Sequence, residues 1–140
     1  MKLLTKETDY AIRAVMHLAK RGDGYISSRQ IAAAEKIPLQ FLRRILQVLI
    51  KKQLIASKEG IAGGVKLKAR SQDIALVDLL EIFQGSIQLA DCMFQRRICS
   101  NRKTCVLRKR IQQIEKSVAA QFRNITIATL LRDLEAQDET

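Results

Sequence analysis

The chain's single proline, Pro38, restricts what it can fold into more than any other residue. It stands between two short amphipathic stretches. No regular helix runs through it, because proline lacks an N–H and its ring clashes with the preceding turn. Upstream, Ser27 and Gln30 have capping-box spacing, which predicts a helix starting there and running through Ile31-Ala32-Ala33-Ala34. Lys36-Ile37 then breaks the chain, and Pro38 suits the first position of the next helix, where no N–H is needed. That helix is expected from Pro38 to about Gln53. At about 100° per residue, Leu42, Ile45, Leu46 and Leu49 fall on one side and Gln40, Arg43, Arg44, Gln47 and Lys51 on the other. A short helix, a tight turn and a second helix with a polar, basic outer stripe form a helix-turn-helix pattern. A plain amphipathic surface helix has the same periodicity, so charge and context must separate the two.

Residues 54–70 follow as strand, glycine-rich tip and strand. Val65, Leu67 and Ala69 alternate with Lys66, Lys68 and Arg70, which predicts one buried and one cationic face. A hairpin directly after such a helix is a wing. Gly60, Gly63 and Gly64 would let its tip lie close to a phosphate backbone or a minor groove. An ordinary hairpin with solubilising lysines fits the alternation equally well. Before this unit, a first helix is expected from near Thr5, with Ala11, Val15, Leu18 and Ala19 on one face and Gly22-Asp23-Gly24 ending it. His17, the only histidine, lies off that face and reads as a surface or boundary residue rather than a ligand. After the wing, Ser71 to Gln84 is expected to be a fourth helix stopped by Gly85.

Charge decides the class of partner. Lys and Arg number 25 against 14 Asp and Glu, a formal net charge of +11. Such a surplus points to a polyanion. Aromatics are 4% and tryptophan is absent, which disfavours single-strand binding by stacking and leaves double-stranded DNA. There, Gln reads adenine and Arg reads guanine. The basic residues sit on the helix and wing rather than opposite a large hydrophobic face, so no membrane partner is expected. There is also no apolar run of the roughly 18 residues a span requires. The start, Met1-Lys2-Leu3-Leu4-Thr5-Lys6-Glu7, lacks the apolar core of a signal peptide, and the expected location is cytoplasmic. No Cys/His pair, paired carboxylates or phosphate-cradling loop argues for an enzyme.

Beyond Gly85 the pattern changes. Residues 86–103 are poorly periodic and hold Cys92 and Cys99; Cys105 follows closely. The spacing Cys92-x6-Cys99-x5-Cys105 is not the C-x2-C of a structural zinc site. Three thiolates so spaced can wrap a larger object such as an iron–sulfur cluster. Arg96, Arg97, Arg102, Lys103, Arg108, Lys109 and Arg110, with no acid among them, favour thiolates and offset the charge of a thiolate-bound cluster. A thiol switch, zinc and three incidental cysteines remain alternatives. A long helix is expected from about Thr104 to Phe122. Its Leu107, Ile111, Ile114, Val118 and Phe122 step like a coiled-coil seam, which reads as a dimer interface. Thr126 should cap a last helix carrying Ile127, Leu130, Leu131 and Leu134, with an acidic tail fraying from Asp133.

Thr8-Asp9-Tyr10-Ala11, the wing glycines, the cysteine triplet before a long helix, and Asn124-Ile125-Thr126 together resemble the Rrf-two superfamily of bacterial winged-helix regulators, in the iron–sulfur branch of IscR, NsrR and RirA. The resemblance covers nearly the whole chain. It implies a homodimer, a palindromic operator and a cluster that sets DNA affinity. It implies Cys92, Cys99 and Cys105 as cluster thiolates. Arg108 stands where IscR-like members place a histidine ligand, and a guanidinium cannot ligate. The resemblance therefore favours a 4Fe-4S over a 2Fe-2S cluster, completed by Asp9 from the other subunit, with Glu7 as a neighbouring alternative. By position it carries DNA contact to Ser28, Leu39, Gln40, Phe41, Arg43 and Arg44, joined by Gln47, and on the wing to Lys58 and Gly60 to Gly64, with Glu59 where a base is usual.

The expected fold is mainly α with a small β-wing: a winged helix-turn-helix over 1–85, then a cysteine loop and dimerisation helices over 86–140. The expected function is a DNA-binding transcription regulator sensing iron–sulfur status, redox stress or nitric oxide. A cluster-free winged-helix repressor controlled by thiol oxidation, a small effector or a partner protein is the alternative.

Overall fold

The computed structural model describes residues 3–89 and 104–139. Three helices start on a hydroxyl that accepts an otherwise orphaned N–H. Thr5 Oγ1 accepts the Thr8 N–H (3.2 Å) ahead of α1, Lys6–Arg21. Ser27 Oγ accepts the Gln30 N–H (3.2 Å) ahead of α2, Ser28–Glu35, and Gln30 Oε1 accepts the Ser27 N–H in return. Thr126 Oγ1 accepts the Thr129 N–H (3.1 Å) ahead of α6, Ile127–Asp138. Between them lie α3 (Leu39–Lys51), strands β1 (Ile55–Lys58) and β2 (Gly64–Leu67), a 3-10 turn at Ser71–Asp73, α4 (Leu76–Gln84) and α5 (Val106–Asn124). No helix among the described residues is long and apolar enough to cross a membrane.

The apolar stripes meet in one core. Val15 and Leu18 of α1, Ile31 of α2, Leu42, Ile45 and Leu49 of α3, and Leu79 and Leu80 of α4 are all sealed from solvent. The wing is pinned to this core by a third strand one residue long. Ile26 donates to the Val65 carbonyl (3.0 Å) and accepts from the Val65 N–H (2.8 Å), beside the antiparallel β1–β2 pair.

The segment after the cysteines returns to the same core. Ala75 pairs with Thr126, with Leu76 N–H on the Ile125 carbonyl (2.8 Å) and Ile127 N–H on the Ile74 carbonyl (2.9 Å). Ile127 is fully buried, α6 lies on α1, and α5 leaves along α4. One core therefore crosses the line drawn at residue 85.

Four element ends differ from expectation. Pro38 is the N-cap of α3, with extended ψ of 129°, so the helix starts one residue later. The fourth helix starts at Leu76 because Ile74 and Ala75 are extended for the pairing with Thr126. β2 stops at Leu67 because the N–H groups of Lys68 and Ala69 both turn to the Leu54 carbonyl. α6 runs on to Asp138, anchored by its capped start and by Leu130 and Leu131 against the core.

Gly64 sits at φ +145°, and a Cβ there would run into the Ile26 carbonyl. Gly64→Ala is expected to cost about 3 kcal/mol, read as a lowered urea midpoint. Gly24→Ala, also at positive φ but facing open space, is expected to cost about 1–2 kcal/mol.

Candidate nucleic-acid interface and cysteine segment

α3 is held by Leu42, Ile45, Leu46 and Leu49, so its opposite face is open. Gln40, Arg43, Arg44, Gln47 and Lys51 are all exposed on it. Phe41 is 48% exposed, and the Arg44 guanidinium lies over its ring at 4.7 Å. Cation–π attraction holds the guanidinium against that ring. Ser28 is half-buried and opens α2. Leu39, carried over as a DNA contact, is half-buried and packs on the core, where it seats the start of α3.

On the wing, Lys58 is exposed and Gly60 (φ +106°) turns the tip, where the Gly63 N–H donates to the Gly60 carbonyl (3.0 Å). Gly63 and Gly64 have a reason inside the chain. A Cβ on Gly63 would collide with the Lys58 carbonyl, and one on Gly64 with that of Ile26. Internal packing already demands both glycines, before any approach to a phosphate. Ile61 projects fully from the tip. Several cations near the wing are committed elsewhere. Lys68 Nζ donates to Gln53 (2.6 Å), and Arg70 Nε donates to Asp73 (2.8 Å), a contact that holds the guanidinium above its ordinary pKa. Lys58 and Lys66 instead flank the ring of Tyr25, which the sequence reading passed over.

Of the three cysteines, Cys105 is described; Cys92 and Cys99 lie outside the described residues. Cys105 is the half-buried N-cap of α5, and its Sγ accepts the Arg108 N–H at 3.4 Å. Among the described residues, no three potential ligands gather around one point. Asp9, in the first turn of α1, accepts from Arg13 (2.8 Å) and is 44% exposed; Glu7 beside it is also exposed. Two side chains that the sequence did not single out frame the segment. Gln84, at the end of α4, accepts from the Thr5 N–H (3.0 Å) and the buried Thr8 hydroxyl (2.7 Å) and donates to the Leu3 carbonyl. Glu115 of α5 accepts from the Leu89 N–H (2.9 Å). His17 Nδ1 contacts Glu35 Oε1 at 2.9 Å, joining α1 to α2.

α5 has nineteen residues and none of them is buried. Leu107 is 65% exposed and Ile114 53%, with Val106 beside them at 76%; Ile111 and Val118 are half-buried. Phe122, the last residue of the expected seam, is half-buried and packs on the chain's own core, which roots the helix.

A family model described as an iron-dependent transcriptional regulator, Rrf2, matches residues 4–133. Among curated relatives, protein aau3 of Rhizobium meliloti is 29% identical over 92% of this chain and 84% of its own length. The regulator IscR of Photobacterium profundum is 26% identical over 96% and 78%. The repressor NsrR of Streptomyces coelicolor is 25% identical over 91% and 87%. Among solved structures, IscR of T. potens superposes with a TM-score of 0.77 at 26% identity, covering 98% of this chain and 91% of that one. CymR, the global cysteine regulator of B. subtilis, has the same fold, with a TM-score of 0.75 at 21% identity over 93% and 96%.

Arg44→Ala is expected to weaken binding to a duplex selected from a random pool by about 1–3 kcal/mol, read by fluorescence anisotropy. Arg13→Ala removes the same charge from a pair on α1 and should leave the affinity within about twofold.

Proposed function

This chain belongs to the Rrf2 family of transcriptional regulators, a non-enzymatic DNA-binding family, and on that premise we propose that it is a homodimeric repressor whose grip on a palindromic operator is set by an iron–sulfur cluster. The cluster's ligands are Cys92, Cys99 and Cys105 of one subunit with Asp9 of the other, a set that suits a 4Fe-4S centre. When bound, the cluster supplies a thiolate-ligated centre that iron supply, oxidants or nitric oxide can alter. The observation that carries this reading is Cys105. Its half-buried sulfur sits at the start of α5 and accepts the Arg108 N–H, so the helix start fixes the position of one ligand atom.

The surrounding residues do ordinary mechanical work. α3 presents Gln40, Arg43, Arg44 and Gln47 to a major groove, while the wing lies beside it. Glu115 fastens the start of the cysteine segment to α5, and Gln84 fastens the end of α4 to the start of α1, one turn from Asp9. A change at the cluster therefore bears on both the helix-turn-helix and the exposed seam. Leu107, Ile111, Ile114 and Val118 join the subunits, which places two recognition helices about one helical turn, roughly 34 Å, or a multiple of it apart. The resulting change is a population shift between binding-competent and incompetent arrangements. The seven bases around the cysteines offset the cluster's charge.

Anaerobic native mass spectrometry tests the cofactor. A dimer carrying four irons and four sulfides per subunit is expected, with partial or complete cluster loss in Asp9→Ala. A metal-free dimer that still binds DNA would leave control by cysteine oxidation, an effector or a partner protein. Sedimentation tests the seam separately. Leu107→Asp with Ile114→Asp should give a folded monomer; a dimer unmoved by both changes would place the interface elsewhere.

A further inference from the structure

We propose that Tyr25, Lys58 and Lys66 form a clamp for a DNA backbone phosphate on the flank of the wing, with the tyrosine ring as the positioning element. The proposal rests on the DNA-binding reading above and adds a site to it. Its geometry follows from strand parity. Across the hairpin Ala56 pairs with Lys66 and Lys58 with Gly64, so Lys58 and Lys66 share one face. Ile55 and Val65, on the other face, are buried in the core. Ile26 pairs with Val65 and is buried with it, so Tyr25, one residue earlier, emerges on the lysine face. Its ring lies 5.1 Å from Lys66 Nζ and 5.8 Å from Lys58 Nζ.

Two ammonium groups on one ring, with no carboxylate between them, repel each other. Neither is in an ion pair among the described residues. The ring quadrupole holds both by cation–π attraction without neutralising either. A side chain that gathers cations and leaves their charge unspent prepares them for an anion. Lys68, the next lysine on that face, is held differently, because its Nζ donates a hydrogen bond to Gln53 Oε1. Tyr25 also lies two residues before the N-cap of α2, so the site spans the wing and the entrance to the helix-turn-helix. A backbone phosphate beside the groove that α3 enters suits this position. A phosphate contact there supports affinity and register but carries no sequence information.

The test is the salt dependence of binding to a random-sequence duplex, where each lost phosphate contact lowers the slope of log K against log salt by roughly 0.9. Lys58→Gln with Lys66→Gln, which removes the one clamped phosphate, should lower it by roughly 0.9 per bound subunit. Tyr25→Leu should lower it by roughly half as much, and Lys68→Gln by less than Tyr25→Leu. Tyr25→Phe, which keeps the ring, should bind like the unaltered chain. Upfield ring-current shifts of the Lys58 and Lys66 ε-methylene protons give a reading that needs no variant. An unchanged slope in the lysine double variant overturns the clamp, and so do random-coil ε-methylene shifts. A lysine effect without any tyrosine effect overturns the role of the ring. If the unaltered chain binds no duplex at all, the DNA-binding reading fails and takes the clamp with it.

Discussion

A short backbone pairing between Ile74-Ala75 and Thr126-Ile127 holds the architecture together. Its two hydrogen bonds, at 2.8 and 2.9 Å, join chain segments about fifty residues apart in sequence. Each contributes roughly 0.5–1.5 kcal/mol net, and burying Ile127 adds roughly 1.5–3 kcal/mol. The consequence is geometric as much as energetic. α6 is drawn onto α1, Phe122 onto the core, and the C-terminal end of α5 is fixed. The N-terminal end, where Cys105 sits, then projects with Leu107 and Ile114 uncovered. The helix is thus rooted at one end and carries exposed Val106, Leu107 and Ile114 towards the other.

Much of this was legible in local sequence signals. The capping box at Ser27, the break at Pro38 and the spacing of Leu42, Ile45, Leu46 and Leu49 located the helix-turn-helix, because those signals act within one or two turns. The start of α4 was not legible. Ser71 to Gln84 has a helical pattern throughout, but Ile74 and Ala75 are claimed by Thr126, a partner no local window contains. The core packing of Leu39 and Phe122 was not legible for a related reason. Each sits at the edge of an apolar stripe, and only the packed core decides which side an edge residue faces. Gly63 and Gly64 look like tip flexibility in a sequence. In the fold they are sites where carbonyls of Lys58 and Ile26 pass too close for any side chain. Gln84, Glu115 and Tyr25 escaped notice because their partners are fixed by tertiary structure alone.

The net charge of +11 is a sum and says nothing of which cations are free to meet a partner. The fold sorts them. Arg13, Lys68 and Arg70 are tied to Asp9, Gln53 and Asp73. Arg44 is laid over Phe41, and Lys58 and Lys66 over Tyr25, contacts that orient charge without cancelling it. Lys6 and Arg13 lie likewise over Tyr10 on α1, where Arg13 is also paired with Asp9. The Phe41 ring stands on α3 and the Tyr25 ring beside the wing, so these two rings hold cations rather than stack on bases.

The acid at the wing explains why this aiming is needed. Glu59 follows Lys58 directly at the start of the tip, and Ile61 beyond it is fully exposed. A tip with a carboxylate and an isoleucine repels or ignores phosphate, so the hairpin's attraction for a backbone must come from its flank. On the flank, alternation along β2 and the pairing of Ile26 with Val65 bring Lys58, Lys66 and Tyr25 to one face, turned away from the core. If the tip meets DNA, it does so through shape and apolar contact, which suits a minor groove better than a phosphate row. The wing thereby divides its surface: cations on the side, an acid and an exposed isoleucine at the end. Substitutions at the two places should then differ in kind, with flank changes altering affinity for all sequences alike and tip changes altering preference among them.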